Sequence, residues 1–282
     1  MPGKTKVVKI GNTKIGGNGP LLLMAGPCAI ESETHARSMA ERLMRIAGDF
    51  AMPFVFKSSF DKANRSSIKG FRGPGLEAGL SILRRIKDDL GVPVISDVHE
   101  PDHIEPAAAV LDVLQVPAFL CRQTDFLVLC GKAGKPVNVK KGQFMAPWDM
   151  ANVVAKIAST GNENVILTER GATFGYNNLV ADMRSLPIMR KTGMPVVFDA
   201  THSVQLPGGQ GECSGGDREM AQVLARSAVA AGVDGLFLEV HDNPEQAKCD
   251  GPNMIPLAEL PRLLETLLAL DAVLRKDGPI PE

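Results

Sequence analysis

Cysteine is scarce in this chain, and none of it is paired by spacing. Five thiols, at positions 28, 121, 130, 213 and 249, are scattered over 282 residues with no Cys-x-x-Cys motif. An odd, unpaired set argues against a disulfide framework and for a reducing, cytoplasmic setting. Any metal site must therefore mix ligand types. An apolar run of membrane-spanning length is also missing. So is an excess of either charge, since 31 basic and 32 acidic residues leave a net charge of −1. That balance argues against nonspecific nucleic-acid or anionic-membrane binding and leaves room only for a local basic pocket. The first residues, MPGKTKVVKI, carry charge without an apolar core, so no signal peptide is expected. No linker or low-complexity stretch divides the chain, which reads as one domain over 1–282.

What is present is a normal globular composition, 44% hydrophobic and 22% charged, in a chain long enough to bury a large core. Short apolar runs recur, as strands covered on both faces require. They fall at Leu21–Ala25, Phe54–Lys57, Pro93–Ser96, Val113–Val116, Val137–Lys140, Val165–Thr168, Val196–Asp199 and Gly235–Glu239. Helical patterns alternate with them at Glu33–Phe50, Leu76–Leu90 (stopped by Gly91), His103–Leu111, Thr124–Lys132, Asp149–Ala158, Val180–Arg190, Arg218–Ala231 and Leu257–Arg275. Eight such units in this length predict an α/β fold of the (β/α)₈ TIM-barrel type. A doubly wound open sheet is the runner-up, weakened by the lack of Gly-x-Gly-x-x-Gly after the first strand. Residues 1–18, alternating around Gly11-Asn12, read as an N-terminal β-hairpin that caps the bottom of the barrel.

Barrels of this class carry their active sites at the C-terminal ends of the strands, and here all eight ends are polar. A single lysine or arginine there is by default a solvated loop residue. Barrel closure would, however, gather Lys57, Lys62, Arg65, Arg122, Lys140 and Arg170 around one mouth. A cluster of that sign in a neutral protein repels itself unless anions bind, so the expected ligands are small and multiply anionic. Asn64, Ser66 and Ser67 add hydrogen-bonding groups for sugar hydroxyls or phosphate. Asp97 and Gln115 end two further strands. Cys28, His202, Glu239 and Asp250 lie far apart in sequence, yet closure makes the last strand a neighbour of the first. Together they form a candidate centre for Zn²⁺, Fe²⁺ or Mn²⁺. The alternatives are a packed thiol at Cys28 and a general acid or base at His202. His99 and His241 also fall near the mouth, whereas His35 and His103 read as surface residues. Cys121, Cys130 and Cys213 read as packing. The glycine-rich 206–216 segment reads as a flexible connection whose place would also suit a lid.

The stretches FKSSFDKANRSS, PAFLCRQTD, VNVKKGQF, TERGATFGYNNL and DATHSVQLPGG resemble those of 3-deoxy-D-manno-octulosonate 8-phosphate synthases. The resemblance runs from about Leu21 to about Leu260. It implies a (β/α)₈ barrel, usually a homotetramer, that condenses phosphoenolpyruvate with D-arabinose 5-phosphate and water in lipopolysaccharide synthesis. It further implies that Lys57, Lys62, Lys140 and Arg170, with the Ala118 backbone, hold phosphoenolpyruvate. Asn64, Arg65 and Ser66 would hold the sugar phosphate, whose far end Arg122 would reach from an adjacent subunit. Asp97 and Gln115 would line the pocket, and Lys57, Lys62, Lys140, His202 and Asp250 would take part in the chemistry. One form of the family has cysteine at the position of Cys28 and uses a divalent metal; the other has asparagine and needs none. The cysteine implies dependence on zinc, iron, manganese or cobalt. Cys249-Asp250-Gly251, by contrast, is a marker common in the metal-independent form. The rivals are the related synthase that makes a seven-carbon product, a Schiff-base aldolase working through Lys140, and a catalytically silent sugar-phosphate-binding barrel.

Overall fold

The computed structural model describes residues 4–65, 67–206 and 215–277. Two short strands come first, β1 (Val8–Ile10) and β2 (Thr13–Ile15), paired antiparallel across Gly11 at φ 52°. Eight parallel strands follow: β3 (Leu22–Gly26), β4 (Phe54–Lys57), β5 (Val94–Asp97), β6 (Val113–Val116), β7 (Val137–Lys140), β8 (Val165–Glu169), β9 (Val196–Asp199) and β10 (Gly235–His241). Each pairs with the next, and β10 pairs with β3 from Gly235↔Leu22 to Glu239↔Gly26, so the sheet closes. The helices between and after them are α1 (Glu33–Asp49), α2 (Leu76–Leu90), α3 (Pro101–Ala108), α4 (Thr124–Lys132), α5 (Met150–Ala158), α6 (Ser185–Arg190), α7 (Arg218–Ala231) and α8 (Leu260–Asp277). The TIM barrel expected from the strand count is the observed fold.

Strand alternation divides the core in two. Leu22, Met24, Val55, Ile95, Val113, Ile166, Val197 and Phe237 face inward, and Val8, Ile10 and Ile15 of the hairpin pack onto them, so the hairpin closes the bottom as expected. The opposite strand faces, Leu21, Leu23, Leu114, Val139, Leu167 and Leu238 among them, pack against the buried stripes of the helices. In α1 that stripe is Ala36, Met39, Ala40, Leu43 and Ala47, and the helix starts where Ser32 Oγ accepts the His35 amide at 3.1 Å.

Three helix boundaries differ from the periodicity. α3 begins two residues early because Pro101 takes the first helical position after extended Glu100. α6 is only six residues long, because Leu179 and Val180 pair back onto Thr173 and Ala172 rather than entering the helix. α8 starts at Leu260, because Ile255 and Pro256 first extend the sheet beside β10. No helix among the described residues is long and apolar enough to cross a membrane.

Candidate active site at the mouth of the barrel

The strand ends carry the residues that converge. β4 ends in Lys57, whose buried ammonium donates to the Cys28 carbonyl at 3.2 Å and to Ser59 Oγ at 2.9 Å. It also lies 3.7 Å from Glu239 Oε1 and 4.0 Å from Asp97 Oδ1. Lys62, on the loop after β4, lies 3.6 Å from the same Glu239 oxygen. Asp97, ending β5, accepts from Ser59 Oγ and pairs with His99 Nε2 at 2.9 Å. Burial alone would raise its pKa, but Lys62, Lys57 and His99 outweigh burial and hold it well below the carboxylate range. Gln115 of β6 accepts from Asn138 Nδ2 at 3.2 Å, and Asn138 Oδ1 in turn accepts from Thr168 Oγ1 at 2.6 Å. This polar row crosses β6, β7 and β8.

Lys140, ending β7, is buried. It donates to Asp199, lies 3.4 Å from His202 Nδ1, and sits 3.6 Å above the centre of the Phe237 ring. Burial is the largest influence on it and lowers its pKa to about 8 despite Asp199. Asp199 also takes His202 Nδ1 at 2.7 Å and the His202 amide at 2.9 Å, which sets the ring at the start of the turn after β9. His202 Nε2 then lies 3.4 Å from Glu239 Oε1. Burial would raise the pKa of Glu239, yet His202, Lys62, Lys57 and Lys140 bring it to about 2. Arg170, after β8, donates to Gln205 Oε1 at 2.7 Å, and its Nη1 is buried without a hydrogen-bond partner.

Asp250 is placed by an unusual backbone. It adopts φ 51° and ψ 21°, a left-handed conformation that aspartate tolerates better than most residues, just before the turn at Gly251. Cys28 Sγ donates to Asp250 Oδ2 at 3.3 Å, and Arg65 Nη1 reaches Asp250 Oδ1 at 3.4 Å. Ligand atoms of Cys28, Glu239 and Asp250 all lie within 4.8 Å of one another. Both Glu239 carboxylate oxygens are buried without a hydrogen-bond partner. His202 Nε2 lies beside Glu239 but outside that three-residue group, so the cluster offers a thiol and two carboxylates with an imidazole adjoining. Such a set fits a borderline divalent ion such as Zn²⁺, Fe²⁺, Mn²⁺ or Co²⁺. Burial, with Cys249, Asp250 and Glu239 nearby, pushes the Cys28 thiol well up, so loading such an ion releases a proton.

Several readings of the sequence need correction. The cations are not a self-repelling ring, because Asp97, Asp199, Glu239 and Asp250 stand among them at ion-pair distance. Arg122 does not join the cluster: it is exposed and lines a groove of about 670 Å³ with Thr124, Phe144 and Lys156. Asn64 is exposed on the loop after β4, Ala118 is buried at the turn after β6, and Ser66 lies outside the described residues. So do Cys213 and most of the 206–216 segment. Cys249 packs with Cys28 in one small buried cluster with Ala29 and Met254. His103 is half-buried in a group of rings with Phe60 and His99, and the His35 ring packs against that of His241, tilted by 37° with centroids 4.5 Å apart, so neither is a plain surface residue. Asp199, Ser59 and Phe237 were not singled out. Asp199 was legible as the acidic end of a strand in DATH, but its work as counter-ion to Lys140 and His202 appears only in three dimensions.

The DAHP synthetase I family model matches residues 4–276. The 2-dehydro-3-deoxyphosphooctonate aldolase of Trichlorobacter lovleyi is 65% identical over 271 residues, covering 96% of this chain and all of that protein. The proteins of that name from Geobacter metallireducens and Geobacter sulfurreducens are each 63% identical over 271 residues, with the same coverage. With so long a match running through every strand end that builds the mouth, the chain belongs to the DAHP synthetase I family and, within it, to the 2-dehydro-3-deoxyphosphooctonate aldolases.

Proposed function

We propose that this protein condenses phosphoenolpyruvate with D-arabinose 5-phosphate and water to give 3-deoxy-D-manno-octulosonate 8-phosphate and inorganic phosphate. The observation that carries the reading, beside the relatives' shared name, is the set of buried cationic donors at the mouth. Lys57, Lys62 and Lys140 are less than a tenth exposed, and Arg65 Nη2 and Arg170 Nη1 are buried N–H groups with no partner in the protein. Unpaired buried donors cost stability, and a phosphate or carboxylate oxygen would satisfy them.

In this reading Lys57, Lys62, Lys140 and Arg170 bind phosphoenolpyruvate, with Ala118 beside it. Asn64, Arg65 and Ser66 bind the sugar phosphate, and Asp97 and Gln115 line the pocket. Carbon 3 of phosphoenolpyruvate attacks the aldehyde carbon, forming the new C–C bond, while water adds at carbon 2. The resulting tetrahedral intermediate expels phosphate by C–O cleavage, leaving the ketone. The C=C electron pair makes the new bond, the aldehyde oxygen takes up the proton that water loses on adding, and the lysines and Arg170 offset the charge of the carboxylate, the phosphate and the developing alkoxide. Asp199 holds Lys140 and His202 in place. Cys28, His202, Glu239 and Asp250 would hold a divalent ion, which when bound supplies polarisation of the aldehyde or the water. The reading includes a homotetramer in which Arg122 reaches the sugar phosphate of a neighbouring subunit. It also includes a cytoplasmic location, to which the four described cysteines, all free and buried, are suited.

Turnover is measured with arabinose 5-phosphate and with erythrose 4-phosphate. The eight-carbon reaction is expected to dominate, and preference for the four-carbon sugar would overturn the substrate assignment. Borohydride is included in a parallel arm, because a buried lysine with a pKa of about 8 is what a Schiff-base aldolase would use. No covalent adduct at Lys140 is expected. For the metal, activity should fall at least about tenfold on chelation and return with Zn²⁺, Fe²⁺, Mn²⁺ or Co²⁺. Full activity in a metal-free sample would sink this part of the reading. Cys28→Asn should retain more metal-free activity than Cys28→Ala.

A further inference from the structure

A second histidine cluster lies beside the seam where β10 meets β3. His241 ends β10, while Glu31 and His35 flank the start of α1. Ligand atoms of Glu31, His35 and His241 lie within 4.8 Å of one another, and none of the three residues is exposed. His241 is 4% exposed. Its Nε2 lies 3.3 Å from Glu31 Oε1, close to the edge expected between two ligands of a tetrahedral zinc at about 2.1 Å from each.

One carboxylate faces a nitrogen of each ring. Asp242 Oδ1 lies 3.1 Å from His35 Nε2 and 3.2 Å from His241 Nδ1. On His35 that carboxylate places the ring proton on Nε2 and leaves a lone pair on Nδ1, while on His241 a proton on Nδ1, facing the same oxygen, would leave the lone pair on Nε2. These are the two imidazole nitrogens of the cluster that are buried without a hydrogen-bond partner. The Asn243 amide donates to His241 Nδ1 at 2.9 Å, but the same amide is 3.1 Å from Asp242 Oδ1. That oxygen can take the amide when Nδ1 carries the proton. Glu31 Oε1 accepts the Lys248 amide at 2.9 Å, which orients the carboxylate.

We propose that Glu31, His35 and His241 form a second divalent-cation site, a His₂Glu set suited to Zn²⁺, with Asp242 orienting both rings from behind. The site joins the start of α1 to the end of β10. Cys28 precedes Glu31 by three residues and Glu239 precedes His241 by two, so an ion here ties together the two segments that carry half of the mouth's own candidate metal ligands. Its role is structural, and the contacts of His35 run to Ser32, His241 and Asp242.

The test is metal content. Wild type, His35→Leu and Glu31→Gln are stripped with chelator, loaded with a small excess of Zn²⁺, desalted and analysed by mass spectrometry. Wild type should carry one more zinc per chain than either variant, and a larger Zn²⁺-induced rise in melting temperature. Far-UV circular dichroism identifies any variant that fails to fold; the assignment then rests on the other, since each removes a different ligand. His35→Leu should keep its turnover at saturating metal. Equal zinc content in wild type and a folded variant would overturn the proposal, as would an equal shift in melting temperature.

Discussion

Among the described residues, Asp97 is one of two buried carboxylates that face Lys57, the other being Glu239. The Asp97 carboxylate is held by Ser59 and His99 and faces Lys57. Removing one partner of a buried ion pair costs about 3–5 kcal/mol, because the other charge stays buried. Asp97→Asn is therefore expected to lower stability by about 3 kcal/mol at neutral pH. Because the folded-state pKa is depressed, the carboxylate's contribution is present above the ordinary value of about 3.9 and is lost as the pH falls below it. Urea unfolding at pH 7 and at pH 3 should show the gap between wild type and variant closing in acid. A gap of the same size at both would refute the charge account. At this scale the sequence was legible in part. Lys57, Asp97, Lys140 and Glu239 were identified because strand ends in a barrel converge. Their pairing was not, because which carboxylate meets which ammonium depends on register and side-chain direction across strands.

The strand β3 shows how one position governs an element. A Cβ on Gly26 would stand 1.9 Å from the Lys57 carbonyl oxygen of the neighbouring strand. Neither backbone can yield without moving Lys57 and the Cys28 carbonyl that its ammonium contacts. Gly26→Ala should cost about 2–3 kcal/mol, as overpacking does, and should lower kcat about 100-fold through misplacement of the reacting groups. Gly48, near the exposed end of α1, has nothing within 4 Å of the same added carbon. There Gly→Ala should stabilise by about 0.5–1 kcal/mol by helix propensity alone. Thermal unfolding of the two variants, with turnover for the first, checks both. Equal effects at the two sites would refute the close-approach argument. The elements were largely legible, since alternation and helical spacing are local properties. The early start of α3 and the short α6 were missed where proline geometry and a small hairpin competed with periodicity.

On the surface of the whole molecule, the single tryptophan and the single tyrosine are both exposed, Trp148 at 65% and Tyr176 at 98%. Phe119 and Phe144 are 56% and 57% exposed and line one surface hollow together, and Phe144 also lines the groove that holds Arg122. Exposed aromatic clusters of this kind are what subunit interfaces cover. Phe119→Ser combined with Phe144→Glu is expected to give smaller species in sedimentation and to raise KM for arabinose 5-phosphate about tenfold, with less effect on phosphoenolpyruvate. Unchanged sedimentation would refute the proposal that this face is a subunit interface. By itself the sequence determined the eight strand–helix units, the capping hairpin and the polar strand ends, because hydrophobic period and turn chemistry are written residue by residue. It also determined family membership through long motifs. Only the tertiary structure decided which carboxylate meets which cation at the mouth, that Cys249 packs on Cys28, that Arg122 faces outward and that His35 meets His241. Each of these joins residues distant in sequence, and closure of the barrel, a property of the whole chain, sets their separation.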